Sequence, residues 1–280
     1  ESSQTIGTPM AFLDTLRTQR RAFVKNNGRR MLQALDRYLG RASLVGDHPF
    51  FPADLFPYNR SLEDNWQTIR AELDQLLKHR EQIPPFHQIS PDQYRISTGD
   101  NWRTFILYGF GHRAERSCRQ CPETSRILDD IPHLKSAWFS ILAPGYHIPP
   151  HRGVTKGVVR THLGLIIPRD REGCRIRVGD QTRRWEEGKC LVLDDTFEHE
   201  VWNETGEQRV VLIIDVERPL SLPARLLNRG ILRAVKLTAY VQDARRNMLS
   251  WEDRFESAVQ RADSYSMDTG SRQDRTQTGR

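Results

Sequence analysis

Four histidines in the middle of this 280-residue chain are the first candidates for chemistry: His147, His151, His162 and His199. His151 follows a Pro-Pro turn, and His199 stands where an acidic turn meets a strand-like run. Imidazole binds iron, zinc, copper and nickel, so a fold that brought two of these histidines together would form a metal site. The alternative is that they are turn residues at the surface.

An arginine ten residues after His199 is the second candidate. Arg209 opens the apolar run Arg-Val-Val-Leu-Ile-Ile-Asp-Val, a pattern that predicts a buried strand with the arginine pointing inward. A buried guanidinium is unfavourable unless it is paired, and its planar fork matches a carboxylate. Two partners are possible: an internal acid such as Asp215, or a dicarboxylate ligand beside a metal.

Short strands must position these side chains. Strand-like runs occur at 136–142, 160–167, 174–179, 181–186, 190–194, 200–204 and 209–217, separated by Gly, Pro, Asp and Asn. Many short strands at this spacing predict a sandwich or barrel, with a double-sheet jelly roll among the main options. A jelly roll would bring His151 and His199 together, because its two sheets converge at one end.

Helical spacing of apolar residues surrounds the β region. Helices are predicted over 8–42 with a break at Asn27-Gly28, over 61–79 with Ser61 as N-cap, over 117–131, and over 226–255. The last sixteen residues contain almost nothing apolar, which predicts disorder. We therefore expect a basic helical segment at 1–45, a β domain with its leading helices at 46–219, a helical segment at 220–264 and a disordered tail at 265–280.

The net charge of +6 is concentrated in the two flanks. Residues 1–41 carry 8 basic and 3 acidic side chains, and residues 220–280 carry 11 and 7, which leaves −3 for the middle. A mildly acidic centre argues against nucleic-acid binding.

We expect a cytoplasmic protein without a transmembrane segment, since no run approaches about 18 apolar residues. The basic N-terminal helices either dock on the core or contact an anionic membrane peripherally.

Several motifs, in one order, resemble the aspartyl/asparaginyl β-hydroxylase family over residues 130–219. They are His151-Arg-Gly, Arg160-Thr-His162-Leu-Gly-Leu-Ile-Ile-Pro, Trp185-Glu-Glu-Gly-Lys, Asp194-Asp-Thr-Phe-Glu-His199-Glu-Val-Trp-Asn, and the run from Arg209. A weaker likeness to bacterial lipid A hydroxylases of the same superfamily lies in Asn65-Trp66-Gln-Thr-Ile-Arg and Glu217-Arg-Pro-Leu. The resemblance implies a mainly β protein, with a double-stranded β-helix (jelly roll) core and flanking α-helices.

The same resemblance implies an Fe(II)- and 2-oxoglutarate-dependent dioxygenase that uses O2 and releases succinate and CO2. Carried over residue by residue, the resemblance implies that His151 and His199 are the iron ligands. It implies that Ser140, His162 and Arg209 bind 2-oxoglutarate. Arg160 would lie beside the cosubstrate and the substrate.

Two departures from related enzymes bear on the metal and the substrate. Gly153 stands two residues after the first histidine, where a facial-triad oxygenase supplies a carboxylate, so two protein ligands are predicted. Val158 replaces a family arginine associated with the substrate's carboxylate. The substrate therefore stays open between an amino acid, a peptide and an acyl chain. The alternatives are a lipid acyl-chain hydroxylase at the membrane surface and a cupin-like binding module without turnover.

Overall fold

The computed structural model describes residue 31 and residues 33–90, 94–109, 111–236 and 239–277. Its helices are α1 (33–41), α2 (Tyr58–Asp64), α3 (Trp66–Leu77), α4 (Phe86–Ile89), α5 (Glu115–Gln120), α6 (Pro122–Asp129), α7 (Leu222–Lys236) and α8 (Ala239–Gln277). Its strands are β1 (Phe50–Phe51), β2 (Trp102–Gly109), β3 (His112–Arg113), β4 (Leu134–Leu142), β5 (Tyr146–His151), β6 (Val158–Ile166), β7 (Cys174–Val178), β8 (Gln181–Arg183), β9 (Cys190–Leu193), β10 (His199–Asn203) and β11 (Arg209–Glu217).

Eight of the strands alternate between two antiparallel sheets. The large sheet has the order β1-β9-β6-β11-β4-β2-β3, and the small sheet has the order β5-β10-β7-β8. From β4 to β11 the chain passes back and forth between the sheets, and only β7 and β8 follow each other within one sheet. This is the winding of a double-stranded β-helix, so the predicted jelly-roll core with flanking helices is confirmed.

The large sheet separates the helical layer from a central cavity. On β4, Ala137, Phe139 and Ile141 pack with the residues buried beneath the helices, whereas Trp138 and Ser140 face the cavity. Successive strand side chains point to opposite faces, so alternate residues of β2, β4, β6 and β11, such as Trp138 and Ser140 or Arg160 and His162, line the cavity. Because these strands are neighbours in one sheet, residues far apart in the sequence line the same cavity.

Several boundaries differ from the sequence prediction. The helix predicted at 61–79 is two helices that meet at Asn65, so Ser61 lies inside α2 and is not an N-cap. The helix predicted at 117–131 is also two, because Cys121 leaves helical geometry before Pro122 begins α6. Strand β2 was not predicted. It is buried on both faces along most of its length, so it lacks the polar alternation that marks a half-exposed strand.

The flanks also differ in part from expectation. Leu39 of α1 is fully buried against Leu220 and Ala224, so this helix docks on the core. Residues 1–30, with the predicted break at Asn27-Gly28, lie outside the described residues. Helix α8 continues to Gln277, where the sequence predicts a disordered tail from 265. A helix already formed gains one hydrogen bond for each added residue, so extending it does not require apolar contacts. None of the described helices is long and apolar enough to cross a membrane.

Candidate active site

Two histidines face each other across neighbouring strands of the small sheet. His199, the first residue of β10, pairs in register with His151, the last residue of β5. Their ring centroids are 4.0 Å apart, and both rings line the central cavity. The jelly roll thus joins residues 48 positions apart, as expected from the sequence. His147 lies elsewhere, because it stacks on Trp202 and bonds Glu200 outside the cavity lining.

Backbone carbonyls set the tautomer of both rings. The Nδ1 of His151 lies 2.8 Å from the carbonyl oxygen of Pro149, and the Nδ1 of His199 lies 3.0 Å from that of Phe197. A carbonyl only accepts, so each Nδ1 carries the hydrogen and each Nε2 keeps a free lone pair. Burial lowers the pKa of both histidines, that of His199 to about 3, and keeps them neutral. Neutral imidazoles with free Nε2 atoms are suited to a divalent metal.

Arg209 is a buried cation without a carboxylate partner among the described residues. It is 2% exposed, its guanidinium lies 4.8 Å from the Trp185 ring centre, and its Nε has no hydrogen-bond partner in that part of the chain. Burial lowers its pKa to about 10, so it stays charged at neutral pH. An unpaired buried charge is strongly unfavourable, so this position calls for an anion. Asp215, the internal partner considered from the sequence, pairs with Arg160 instead.

Two neutral donors flank Arg209. The Nδ1 of His162 accepts a bond of 3.2 Å from Trp185 Nε1, so its Nε2 carries the hydrogen, and this buried atom has no partner among the described residues. The Oγ of Ser140 accepts bonds from Trp102 at 3.0 Å and from Arg209 at 3.4 Å, which leaves its own hydrogen free. Burial and nearby cations hold the pKa of His162 well below its usual value. The three side chains together present donors to one anionic group, and a carboxylate fits them.

Arg160 is held by two carboxylates and an aromatic ring. Its Nε and Nη2 bond the two oxygens of Asp215 at 2.8 and 2.9 Å, and its Nη1 lies 3.0 Å from Asp195. The guanidinium also lies 5.1 Å from the ring centre of Trp138. These partners hold Arg160 at the cavity wall between the histidine pair and the outer cavity. Sequence reasoning did not find this clamp, because it depends on the register of β6 against β11, which no local motif reveals.

The carboxylate of Asp195 fills the space above Gly153. A β-carbon built at Gly153 would overlap the Asp195 carboxylate. Burial raises the pKa of Asp195, and the nearby Arg160 opposes that rise. Among the described residues, no group of three or more His, Cys, Asp and Glu side chains is arranged to hold a metal. The two-histidine ligand set therefore stays the prediction.

The cavity extends outward from these residues to an apolar end. Its volume is about 250 Å³. The inner end holds the histidine pair and Arg209, closed in by Ile148, Ile176 and Val201. The outer end is lined by apolar side chains from α4, β2, α7 and α8, namely Ile89, Ile106, Leu232, Val241, Ala244 and Met248. All six residues predicted for the site line this one cavity, and their individual roles stay predictions.

Comparison with known proteins adds the following. The chain matches the family model described as aspartyl/asparaginyl β-hydroxylase over residues 63–219. It is 41% identical over 211 residues to the ornithine lipid ester-linked acyl 2-hydroxylase of Rhizobium tropici, with 75% of each chain covered. It is 37% identical over 169 residues to the human aspartyl/asparaginyl β-hydroxylase, covering 59% of this chain but 21% of the human protein. Among solved structures, the cupin domain of Schizosaccharomyces pombe Cnp3 matches at 11% identity and a TM-score of 0.30, covering 46% of this chain and 72% of that domain. The strand order described above, and not this slight overlap, identifies the fold.

Proposed function

Since the chain belongs to the aspartyl/asparaginyl β-hydroxylase family, we propose that it is an Fe(II)- and 2-oxoglutarate-dependent dioxygenase that hydroxylates an unactivated C–H bond of a lipid acyl chain. The observation that carries the proposal is the buried guanidinium of Arg209, unpaired among the described residues, in the same cavity as the facing pair His151 and His199. A cupin-like binding module is the weaker alternative, because binding alone does not require both features together.

The donors at the inner end fit the two cofactors. His151 and His199 would hold the iron through Nε2, and Arg209, Ser140 and His162 would bind the distal carboxylate of 2-oxoglutarate. When bound together with O2, Fe(II) and 2-oxoglutarate supply the oxidising power for C–H hydroxylation, with succinate and CO2 as coproducts. The protein's own part is to position the reactants, neutralise charge and exclude water.

Charge balance supports joint binding of the two cofactors. With all four ionised, Arg160 and Arg209 are balanced by Asp195 and Asp215, which makes the inner cavity neutral in the described part of the chain. Fe(II) and the 2-oxoglutarate dianion also sum to zero. Iron alone would add two uncompensated charges to a buried site, where charge is poorly screened. We therefore expect 2-oxoglutarate to strengthen iron retention.

The outer cavity favours an acyl chain over a polar amino-acid side chain. Its apolar lining includes Ile106, Met248 and Val241, and Val158 lines it where the family's substrate-binding arginine would stand. Burying methylene groups against such a surface contributes about 0.8 kcal/mol each. The bacterial relative named as an acyl 2-hydroxylase of ornithine lipids points to the same substrate class.

Helix α7 supports access from a membrane surface. Leu226 and Leu227 are 60% and 46% exposed, with exposed arginines on the same helix, and Leu232 near its end lines the cavity. Apolar side chains interspersed with cationic ones favour peripheral contact with anionic lipid. The sequence left open whether the N-terminal helices contact a membrane, and among the described residues we propose α7 as the contact surface.

The metal assignment is tested with two matched histidine variants. We expect His199→Ala to abolish Fe(II)-dependent succinate formation and to weaken anaerobic Fe(II) binding, because one imidazole would remain. The control, His147→Ala, removes a histidine of the same sheet that lies outside the cavity, so both measurements should stay at wild-type values. Wild-type succinate formation by His199→Ala in metal-scrubbed buffer would refute the metal site.

The substrate class is tested separately by product analysis. The enzyme, Fe(II) and 2-oxoglutarate are incubated with a bacterial acyl-lipid extract or with peptides that contain aspartate, under labelled O2. We expect one labelled oxygen atom in the acyl chain of a lipid and none in the peptides. Labelled peptides with unlabelled lipids would leave the dioxygenase assignment standing and overturn the acyl-chain substrate.

A further inference from the structure

Three basic side chains stand together at the outer end of the cavity. They are His112 of β3, Lys236 at the end of α7, and Arg245 of α8, and all three line the cavity. The Nζ of Lys236 lies over the turn between β2 and β3, 2.8 Å from where a β-carbon of Gly111 would be. Gly111 has a φ of +75°, a backbone conformation that glycine adopts readily. Because glycine has no side chain, it also leaves room for the ammonium group of Lys236.

Two of the three, Lys236 and Arg245, are cations that no acidic side chain neutralises within the described part of the chain. Acidic side chains of the same helix and of the neighbouring sheet are engaged by other cations: Asp243 by Arg246, and Glu217 by Lys135 at 3.3 Å. Neither Lys236 nor Arg245 forms an ion pair with any described residue. Burial, together with the positive charges of Arg245 and Lys236, lowers the pKa of His112, so His112 is the neutral member of the group.

Two like charges at the mouth of an apolar cavity repel each other, and an anion bound between them would relieve that repulsion. The wall next to them is apolar, with Val241, Ala244 and Met248 on α8. A ligand that satisfies both surfaces has an alkyl chain at one end and a negative charge at the other. Water alone would hydrate the cations but would leave the apolar wall exposed.

We infer that His112, Lys236 and Arg245 form a headgroup site that selects lipids with an anionic headgroup while the acyl chain enters the cavity toward the histidine pair. This inference rests on the proposed function, since it specifies the substrate of the same cavity. The shared chemistry is a carboxylate or a phosphate within reach of an ammonium and a guanidinium. Such charge-assisted hydrogen bonds are about twice as strong as neutral ones.

The test compares two lysolipids with the same acyl chain, lysophosphatidylglycerol and lysophosphatidylcholine, below their micelle concentrations. Binding to the full chain is measured by calorimetry, without turnover. We expect the anionic probe to bind at least tenfold more tightly than the zwitterionic probe. The double variant Lys236→Gln/Arg245→Gln should remove this preference. The control Arg246→Gln should keep it, because Arg246 is exposed on the same helix and does not line the cavity.

The possible results separate the two levels of the proposal. Equal affinity of the wild type for both probes, or a preference that survives the double variant, would overturn the headgroup site and leave the acyl-chain cavity standing. Failure of both probes to bind would contradict the acyl-chain substrate, and the headgroup site with it. A 2-oxoglutarate titration and a thermal melt of the double variant show that the inner site and the fold are intact.

Discussion

At the scale of single residues, two buried arginines allow opposite predictions. Arg209 has no carboxylate partner among the described residues, whereas Arg218 is fully buried against Asp194. We expect Arg209→Met to raise the 2-oxoglutarate dissociation constant about a hundredfold or more, because its charge meets the ligand, and to leave the apoprotein's stability unchanged or higher.

The control, Arg218→Met, should do the reverse. It leaves the buried Asp194 with one partner fewer, so the free energy of unfolding should fall by about 3–5 kcal/mol while 2-oxoglutarate affinity is kept. Denaturant unfolding and ligand-induced thermal stabilisation measure the two effects. An unchanged 2-oxoglutarate dissociation constant in Arg209→Met would show that Arg209 does not bind the cosubstrate.

Gly153 gives a second prediction at the residue scale. The sequence alone suggests that Gly153→Asp restores a three-ligand site and tightens iron. The Asp195 carboxylate already fills that space, so we expect the added carboxylate to repel it, disturb Arg160 and weaken Fe(II) binding measured without cosubstrate. Gly206→Asp is the matched control, since a β-carbon there meets no atom within 4 Å. Tighter iron in Gly153→Asp would contradict this packing.

At the scale of elements, α8 closes one side of the cavity and fastens the helical layer. Glu252 accepts hydrogen bonds from the backbone amides of Arg116 and Ser117 at the start of α5, at 3.1 and 2.9 Å. Phe255 is buried edge-on against Phe105, with ring centroids 5.0 Å apart. The part of α8 up to Phe255 therefore contributes to the fold.

Two truncations test this division of α8. A chain that ends at Ser264 should keep wild-type stability and activity, because it retains both Glu252 and Phe255. A chain that ends at Ser250 should lose several kcal/mol of stability, since removing a buried phenylalanine side chain alone costs about 3–5 kcal/mol. Thermal melts and succinate assays compare them. Equal stability of the two chains would show that α8 does not anchor the fold.

At the scale of the whole molecule, helix α7 carries both the exposed leucines Leu226 and Leu227 and the cavity-lining Leu232. We expect co-sedimentation with vesicles that contain anionic lipid at low salt, weakening as salt screens the arginines. Leu226→Gln/Leu227→Gln should reduce binding about tenfold or more, because each lost leucine contributes about 1.5–3 kcal/mol when buried. The control Leu55→Gln changes a leucine that is 47% exposed and lies outside the cavity lining. Equal binding by all three proteins would exclude α7 as the contact surface.

The family and the fold were predictable from the sequence. The order and spacing of the motifs around His151, His199 and Arg209 identified the family, because these motifs are local runs of residues. The strand runs from 136 to 217 predicted a sandwich or barrel, since turn residues and apolar alternation are also local signals, and the family resemblance selected the jelly roll among these.

The tertiary structure decided which charges meet. Asp215 pairs with Arg160 and not with Arg209, because the register of β11 against β6 sets Asp215 beside Arg160. Asp195 occupies the space above Gly153 because a loop after β9 folds back over the end of β5. The basic group of Lys236 and Arg245 exists because α7 and α8 meet the β2–β3 turn. These contacts join distant segments, and only packing and strand register determine them.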